Sequence, residues 1–290
     1  MCIYSIPLHA SSKQVLKNGF VKLIDCMPRQ IPLDSQKLMC DSAIVQAARV
    51  SYGQGLKDYE TDSKLINYLF KHKHTSPFEM VKFKFHVKAP IFVARQWFRH
   101  RMSNYNEISG RYTVLDEEIY KPEKVSSQST INKQLSGNDN LLETEYNTKR
   151  IFNQYMTGSS NQYLMYKQLL DKGVSREIAR IGLPLNLFTE FYWCIDLHNL
   201  LNFIKLRNSD YAQGEIKEYA KTIEELVEPL CPVTIEAHRD FKTITLSPEQ
   251  VKALDLFEFQ VDKLKPREKN ELHNLVKDNM DYIKKEYLKN

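Results

Sequence analysis

The chain has 290 residues, 42% of them hydrophobic and 27% charged, an ordinary globular mixture. That excludes a wholly disordered chain, a collagen-like repeat and a coiled-coil rod. Its 41 basic and 36 acidic residues leave a net charge of only +5, so any binding of anions needs a local patch rather than a global excess.

Residues 1–12 read as a loose polar extension. Residues 20–25 form a short strand candidate, and Asp34 or Ser35 is positioned to cap a helix running to about Ser51. A second helix is predicted over 62–72. Val81, Phe83, Phe85 and Val87 then alternate with Lys82, Lys84, His86 and Lys88, the period-2 pattern of a half-buried antiparallel strand. Pro90 suits the start of a helix continuing over 91–101. Ser, Asn, Gln and Lys crowd residues 123–140, which predicts an insert rather than a boundary. A long helix is expected over 141–172, ending at Gly173. An aromatic strand over 188–195 follows, then a helix over 197–206 capped by Asp196, then a helix over 212–227. In the tail, Leu272, Leu275, Val276, Met280, Ile283 and Tyr287 fall at helical spacing. The expected organisation is a single domain over 13–243 and a helical extension over 244–290. No internal repeat is present.

The cysteines are Cys2, Cys26, Cys40, Cys194 and Cys231, with no CxxC pair, which excludes zinc-ribbon and thioredoxin-type sites and gives no metal centre. An odd number of thiols, and an N-terminus without a basic stretch before an apolar core, predict reduced thiols in a cytoplasmic protein. The longest apolar stretch, residues 89–94, falls far short of the ~20 residues that span a bilayer. No membrane association is expected.

Chemistry concentrates in residues 95–112, RQWFRHRMSNYNEISGRY. Four arginines and one glutamate give this segment a charge of +3 with no lysine at all. Guanidinium groups favour planar, bidentate recognition of phosphate or carboxylate. Arg95 and Arg99 lie one helical turn apart, and Ser109-Gly110 offers a hydroxyl beside a backbone that a ligand can approach closely. These features fit an anionic small molecule with a planar polar ring. Taken alone, the segment also fits a solvated charged helix followed by a polar turn.

Arg99-His100-Arg101, seven residues and then Ser109 form the RHR-x7-S signature of flavin-dependent thymidylate synthases, and the chain resembles that family. The resemblance extends to Ala47-Ala48-Arg49-Val50-Ser51, to His74-Thr75-Ser76-Pro77-Phe78-Glu79, to residues 180–186 (RIGLPLN) and to residues 200–207 (LLNFIKLR). It covers roughly residues 14–240. The family is similar in using FAD, reduced by NADPH, to pass a methylene from 5,10-methylenetetrahydrofolate to C5 of dUMP and reduce it to methyl. The resemblance therefore implies an α+β fold, an antiparallel sheet packed with helices, assembled as a homotetramer with active sites shared between subunits. No GxGxxG follows a predicted strand, so FAD is not expected on a dinucleotide-binding fold.

By position, the resemblance implies that Gln96, Arg99, Glu107, Ile108, Ser109, Gly110, Arg111, Arg180 and Arg207 contact dUMP. It places FAD against Ser76, Arg99, His100, Arg101, Glu107, Asp196, His198 and Asn202. Arg207, His74 and Ser109 become the candidate catalytic residues. Arg207 would hold the uracil near N3 and O2 and favour its ionised form, and His74 would lie near the flavin ring. Compared members carry Asn, Arg and His where this chain has Asp196, His198 and Tyr211, which predicts altered contacts to the flavin nucleotide. Uracil C5 is a poor nucleophile, and the unrelated class of thymidylate-forming enzymes activates it with a cysteine thiolate. No cysteine here lies in an Arg-rich segment, so activation is expected to be electrostatic. Two rivals remain at this point, a non-catalytic nucleotide or nucleic-acid binder and a flavoprotein acting on another pyrimidine.

Overall fold

Lys82–Pro90 forms a strand, as its alternation predicts: Phe83, Phe85 and Val87 are buried while Lys82 and Lys84 are exposed. In this computed structural model the described residues are 3–7, 12–130 and 133–241. Seven strands are described in chain order: β1 (Ile3–Ser5), β2 (Ser12–Val15), β3 (Gly19–Met27), β4 (Gln30–Pro32), β5 (Lys82–Pro90), β6 (Asn104–Glu107) and β7 (Phe188–Asp196). The helices are α1 (Asp41–Arg49), α2 (Tyr59–Lys71), α3 (Ile91–Trp97), α4 (Leu141–Thr144), α5 (Tyr146–Asp171), α6 (Arg176–Ala179), α7 (Leu197–Arg207), α8 (Gly214–Val227) and α9 (Pro232–Asp240). The fold is α+β. Its main sheet is antiparallel with strand order β2-β3-β5-β7-β6, and β1 and β4 pair separately.

One face of this sheet is the core. Val21, Leu23, Phe83, Phe85, Val87, Phe191, Trp193 and Ile195 are buried beneath α3, α7 and α8. Those helices contribute Trp97, Phe203 and Tyr219. Trp97 meets Trp193 edge-on at 5.2 Å between centroids and lies 4.9 Å from Phe203, an arrangement worth more than its area alone. The opposite face carries a polar network, in which His86 stacks on Tyr192 at 4.7 Å and its Nε2 lies 2.9 Å from Glu190 Oε2. Lys88 pairs there with Glu118 and, at 3.5 Å, with Glu190.

Several boundaries differ from those predicted. α1 begins at Asp41 rather than at residue 34 or 35, because Leu33–Ser35 is a separate 3-10 turn. Asp41, fully buried, accepts from the backbone N–H groups of Val233 and Thr234 and from Thr234 Oγ1, so it caps α9, a helix the sequence does not announce. α2 starts earlier than predicted because Asp58 caps it through Thr61 N at 2.9 Å. Between these helices, Arg49 and Asp62 form a buried ion pair at 2.5 Å. The long helix expected from residue 141 breaks at Glu145, whose extended backbone separates α4 from α5.

Residues 1–12 are not uniformly loose. Ile3–Ser5 pairs with β4, and Ile6 is buried. Within the insert, Gln128 and Ser136 form an isolated bridge, and Asp139 accepts from Ser127 N and Oγ. The tail helix predicted over 272–287 lies outside the described residues.

Candidate active site

α7 owes its position to a polar start and an apolar flank. Asp196 caps it, accepting from Asn199 N at 2.9 Å and from Asn199 Nδ2 with both carboxylate oxygens. Leu197, Leu200, Leu201, Phe203 and Ile204 bury one flank, which leaves Asn202 exposed and delivers Arg207 to the last position of the helix. α3 is expected to run to Arg101, but it ends at Trp97. The chain then turns, with His100 N donating to Trp97 O at 3.0 Å, and enters β6 at the sheet edge. β6 is polar apart from Tyr105, so no alternation marks it as a strand. Backbone pairing with β7 forms it instead.

The turn brings His100 to Arg207. Arg207 Nε donates to His100 Nε2 at 2.9 Å, and Arg207 Nη2 donates to the Gln96 carbonyl at 3.2 Å. The imidazole packs edge-on against Phe203 at 4.9 Å. Its carbonyl accepts from Tyr105 Oη at 2.8 Å and from Ser103 Oγ at 2.7 Å. Burial, with Arg207's charge alongside, pushes the His100 ring down to about 4. The ring is therefore neutral at pH 7, accepting on Nε2 and carrying its proton on Nδ1. Burial also lowers the Arg207 pKa, yet a guanidinium stays protonated under any working condition. Arg99 and Arg101, on either side of His100, are exposed and have no carboxylate partner among the described residues.

A second group assembles after β6. Glu107 Oε1 accepts from Thr189 Oγ1 at 2.7 Å, and Ile108, partly exposed, donates its N–H to Glu190 O at 2.9 Å. Ser109 closes a turn: its Oγ accepts from Arg111 N at 3.3 Å, and its carbonyl accepts from Tyr112 and Thr113. Gly110 is buried under Arg180, and a Cβ there would stand 3.1 Å from Arg180 Cδ and 3.2 Å from Leu115 Cδ1. Close packing, not a left-handed backbone, calls for glycine at this position. Arg111 lies 3.6 Å from Glu177, a weak exposed pair.

His74 and Ser76 sit elsewhere, beside the 3-10 turn Ser76–Met80 against which α7 packs. Both are exposed, and the His74 ring stacks on Tyr68 at 6.2 Å. His198, partly buried, lies in the first turn of α7 and Asn202 lies further along it. Among the described residues, no hydrogen bond or ion pair joins the Gln96–His100–Arg207 group to the Gly110–Arg111–Arg180 group. Nor does any group of three His, Cys, Asp or Glu side chains converge as a metal site.

Two features fall outside the sequence prediction. Gln213, in the segment between α7 and α8, accepts from Gln96 Nε2 at 2.5 Å. Thr189, on β7, orients Glu107. Neither position carries a periodic or motif signal. Three of the described thiols are held protonated: a hydrogen bond to Cys40, and then burial, raises Cys26, a hydrogen bond to Cys231 is the main cause that raises Cys40, and burial raises Cys231 to about 11.

The arrangement is a permanent cation oriented by a neutral imidazole, with the exposed Arg99 and Arg101 on either side of that histidine in the chain. Residues 35–233 match the family model described as thymidylate synthase complementing protein. The chain is 46% identical over 250 residues to a flavin-dependent thymidylate synthase of Dictyostelium discoideum, covering 85% of this chain and 80% of that one. It is 52% identical over 226 residues to a flavin-dependent thymidylate synthase of Thermus thermophilus, covering 78% and 77%. A crystal structure of the UMP/dUMP methylase PolB from Streptomyces cacaoi superposes with a TM-score of 0.64 at 29% identity, over 77% of this chain and 96% of the other. Signature, fold and extended identity agree: the chain belongs to the flavin-dependent thymidylate synthase family.

Proposed function

We propose that the chain is a thymidylate synthase that reductively methylates dUMP to dTMP, using FAD, with NADPH and 5,10-methylenetetrahydrofolate as co-substrates. The observation that carries this reading is Arg207 held by His100 Nε2 and the Gln96 carbonyl. Two of its donors are fixed, so the guanidinium plane is fixed, and Nη1 is left for a ligand. A fixed cation beside the uracil N3–O2 edge stabilises negative charge in the ring and makes C5 more nucleophilic without a covalent adduct. Arg111, Arg180 and the Ser109-Gly110 turn then suit the phosphate and ribose of dUMP, with Glu107 and Ile108 at the sheet edge alongside.

The donor set fits FAD. Arg99 and Arg101 are exposed cations without carboxylate partners among the described residues, as a pyrophosphate requires, and Ser76, His198 and Asn202 add polar groups along α7 and its neighbouring turn. Bound FAD supplies the reducing electron pair of the methylation. Asp196 contributes differently: its carboxylate is occupied by the α7 cap, so it steadies the helix that carries Asn202 and Arg207. His74, exposed and stacked on Tyr68, suits a gate for the co-substrate.

Assembly as a homotetramer with shared active sites is part of the proposal. The separation of the two arginine groups supports it, as do exposed apolar side chains on α5 and after α6: Tyr155 at 65%, Met165 at 63% and Ile181 at 79%. A cytoplasmic location fits the odd cysteine number, and no described helix is long and apolar enough to cross a membrane.

The test is dTMP formation from dUMP, methylenetetrahydrofolate and NADPH by the FAD-loaded protein. Arg207→Ala should lower the rate about 10²–10³-fold while flavin absorbance persists, the usual cost of deleting a transition-state charge donor. Wild-type protein that holds FAD and binds dUMP yet forms no dTMP would defeat the proposal. The likeness to a UMP/dUMP methylase favours one second reading, the same chemistry on UMP. Parallel turnover of the two nucleotides separates them.

A further inference from the structure

α3 ends at Trp97, and a helix end leaves its last carbonyls without partners inside the helix. Here the partner comes from β6. Tyr105 Oη donates to the His100 carbonyl at 2.8 Å and reaches the Trp97 carbonyl at 3.1 Å, one proton shared between two acceptors. Ser103 Oγ donates to the same His100 carbonyl at 2.7 Å, and His100 N donates back to Trp97 O at 3.0 Å. Both backbone groups of His100 are thereby engaged. The Tyr105 ring is itself held, edge-on against Phe98 at 4.8 Å and packed on the main core. Its backbone stands opposite Trp193 in the β6–β7 register.

The chemistry of this brace suits a cationic turn. Asp196 and Asp41 hold α7 and α9 with carboxylates. A carboxylate between Trp97 and Ser103 would pair with the neighbouring guanidinium groups and weaken their pull on an anion. Hydroxyls fix the backbone without adding a charge, and Arg99 and Arg101 stay exposed cations. The side chain that depends most on this backbone is His100, whose ring rests on Phe203 at 4.9 Å and accepts from Arg207 Nε at 2.9 Å. A misplacement of about 1 Å in such an orienting contact can cost roughly 10²-fold in rate. We propose that Tyr105, together with Ser103, is a positioning residue: the two hydroxyls fix the turn that carries His100 and, through His100, the guanidinium plane of Arg207. This rests on the reading of Arg207 as the cation that activates the uracil.

The experiment measures kcat for dTMP formation per bound flavin in Tyr105→Phe and Ser103→Ala, each made in wild type and in His100→Ala. Tyr105→Phe keeps the ring and its packing, and Ser103→Ala removes the second donor to the same carbonyl. Flavin absorbance counts folded enzyme, so a loss of stability alone leaves this kcat unchanged. Each substitution in wild type should lower it about 3–10-fold, the range of one neutral hydrogen bond. In the His100→Ala background each should have almost no further effect, because the hydroxyls act through that histidine. Should Tyr105→Phe fail to hold flavin, the Ser103→Ala pair alone decides. An unchanged kcat beside a slowed His100→Ala, or an equal fall in both backgrounds, would overturn the assignment of the hydroxyls alone. Wild-type turnover in His100→Ala or in Arg207→Ala would remove that pair from catalysis, and the inference with it.

Discussion

Arg207 Nε donates to His100 Nε2 at 2.9 Å, joining the end of α7 to a turn 107 residues earlier in the chain. The bond exists only while the imidazole is neutral, and the two causes that lower its pKa, burial and the Arg207 charge, keep it so. The histidine of the signature and the arginine at the end of α7 therefore work as one unit.

Its pH dependence has a definite sign. The folded His100 titrates at about 4, below the ordinary 6.5, so the unfolded chain binds its proton first as pH falls. Its contribution is intact above pH 6.5 and is lost progressively between about 6.5 and 4. His100→Gln lacks this titration, so its melting temperature should fall less than wild type's between pH 7 and 5. Parallel falls would show that His100 is not held neutral. In activity, His100→Ala should cost about 10–100-fold in kcat, matching a lost hydrogen bond to a charged group of about 1.5–3 kcal/mol.

Arg111→Ala should raise the dUMP dissociation constant about tenfold, since charge-assisted contacts to an anion are worth about 1.5–3 kcal/mol. Glu177 competes for the same guanidinium at 3.6 Å. Glu177→Gln should therefore tighten dUMP slightly, or leave it unchanged, in the same titration. Unchanged affinity in Arg111→Ala would reduce that arginine to a surface charge.

The buried thiols of Cys26, Cys40 and Cys231 are held protonated and serve as small apolar groups. A variant with all five cysteines replaced by Ala or Ser should retain dTMP formation, provided it still binds flavin. A flavin-loaded but inactive variant would point to thiolate chemistry.

Asp196→Ala removes the α7 cap and should destabilise by about 1 kcal/mol, or about 2–4 °C in Tm. Asp196→Asn keeps an accepting side chain at the cap and should hold Tm near wild type. If both variants melt alike, the cap contributes nothing and the carboxylate charge must act elsewhere.

Much of this was legible from local pattern. The alternation at Phe83, Phe85 and Val87 specified β5 and its buried face, and Asp196 ahead of an apolar flank specified α7. A strand's period and a helix cap are written within a few residues, so one segment suffices to read them. The RHR-x7-S signature marked the segment that carries His100 and Ser109 and, through the wider resemblance, Arg207. It did not say that His100 and Arg207 touch.

The tertiary structure decided the rest. α3 stops at Trp97 because the chain must reach the edge of β7, where pairing makes a strand of polar residues with no strand-like pattern. α9 depends on Asp41, 192 positions before Val233. The grip of Arg207 and Gln213 on His100 and Gln96 spans more than a hundred residues. Local sequence determines which elements form and which faces they bury. Contacts that orient a guanidinium depend on where distant elements come to rest, and no periodicity within either segment encodes that.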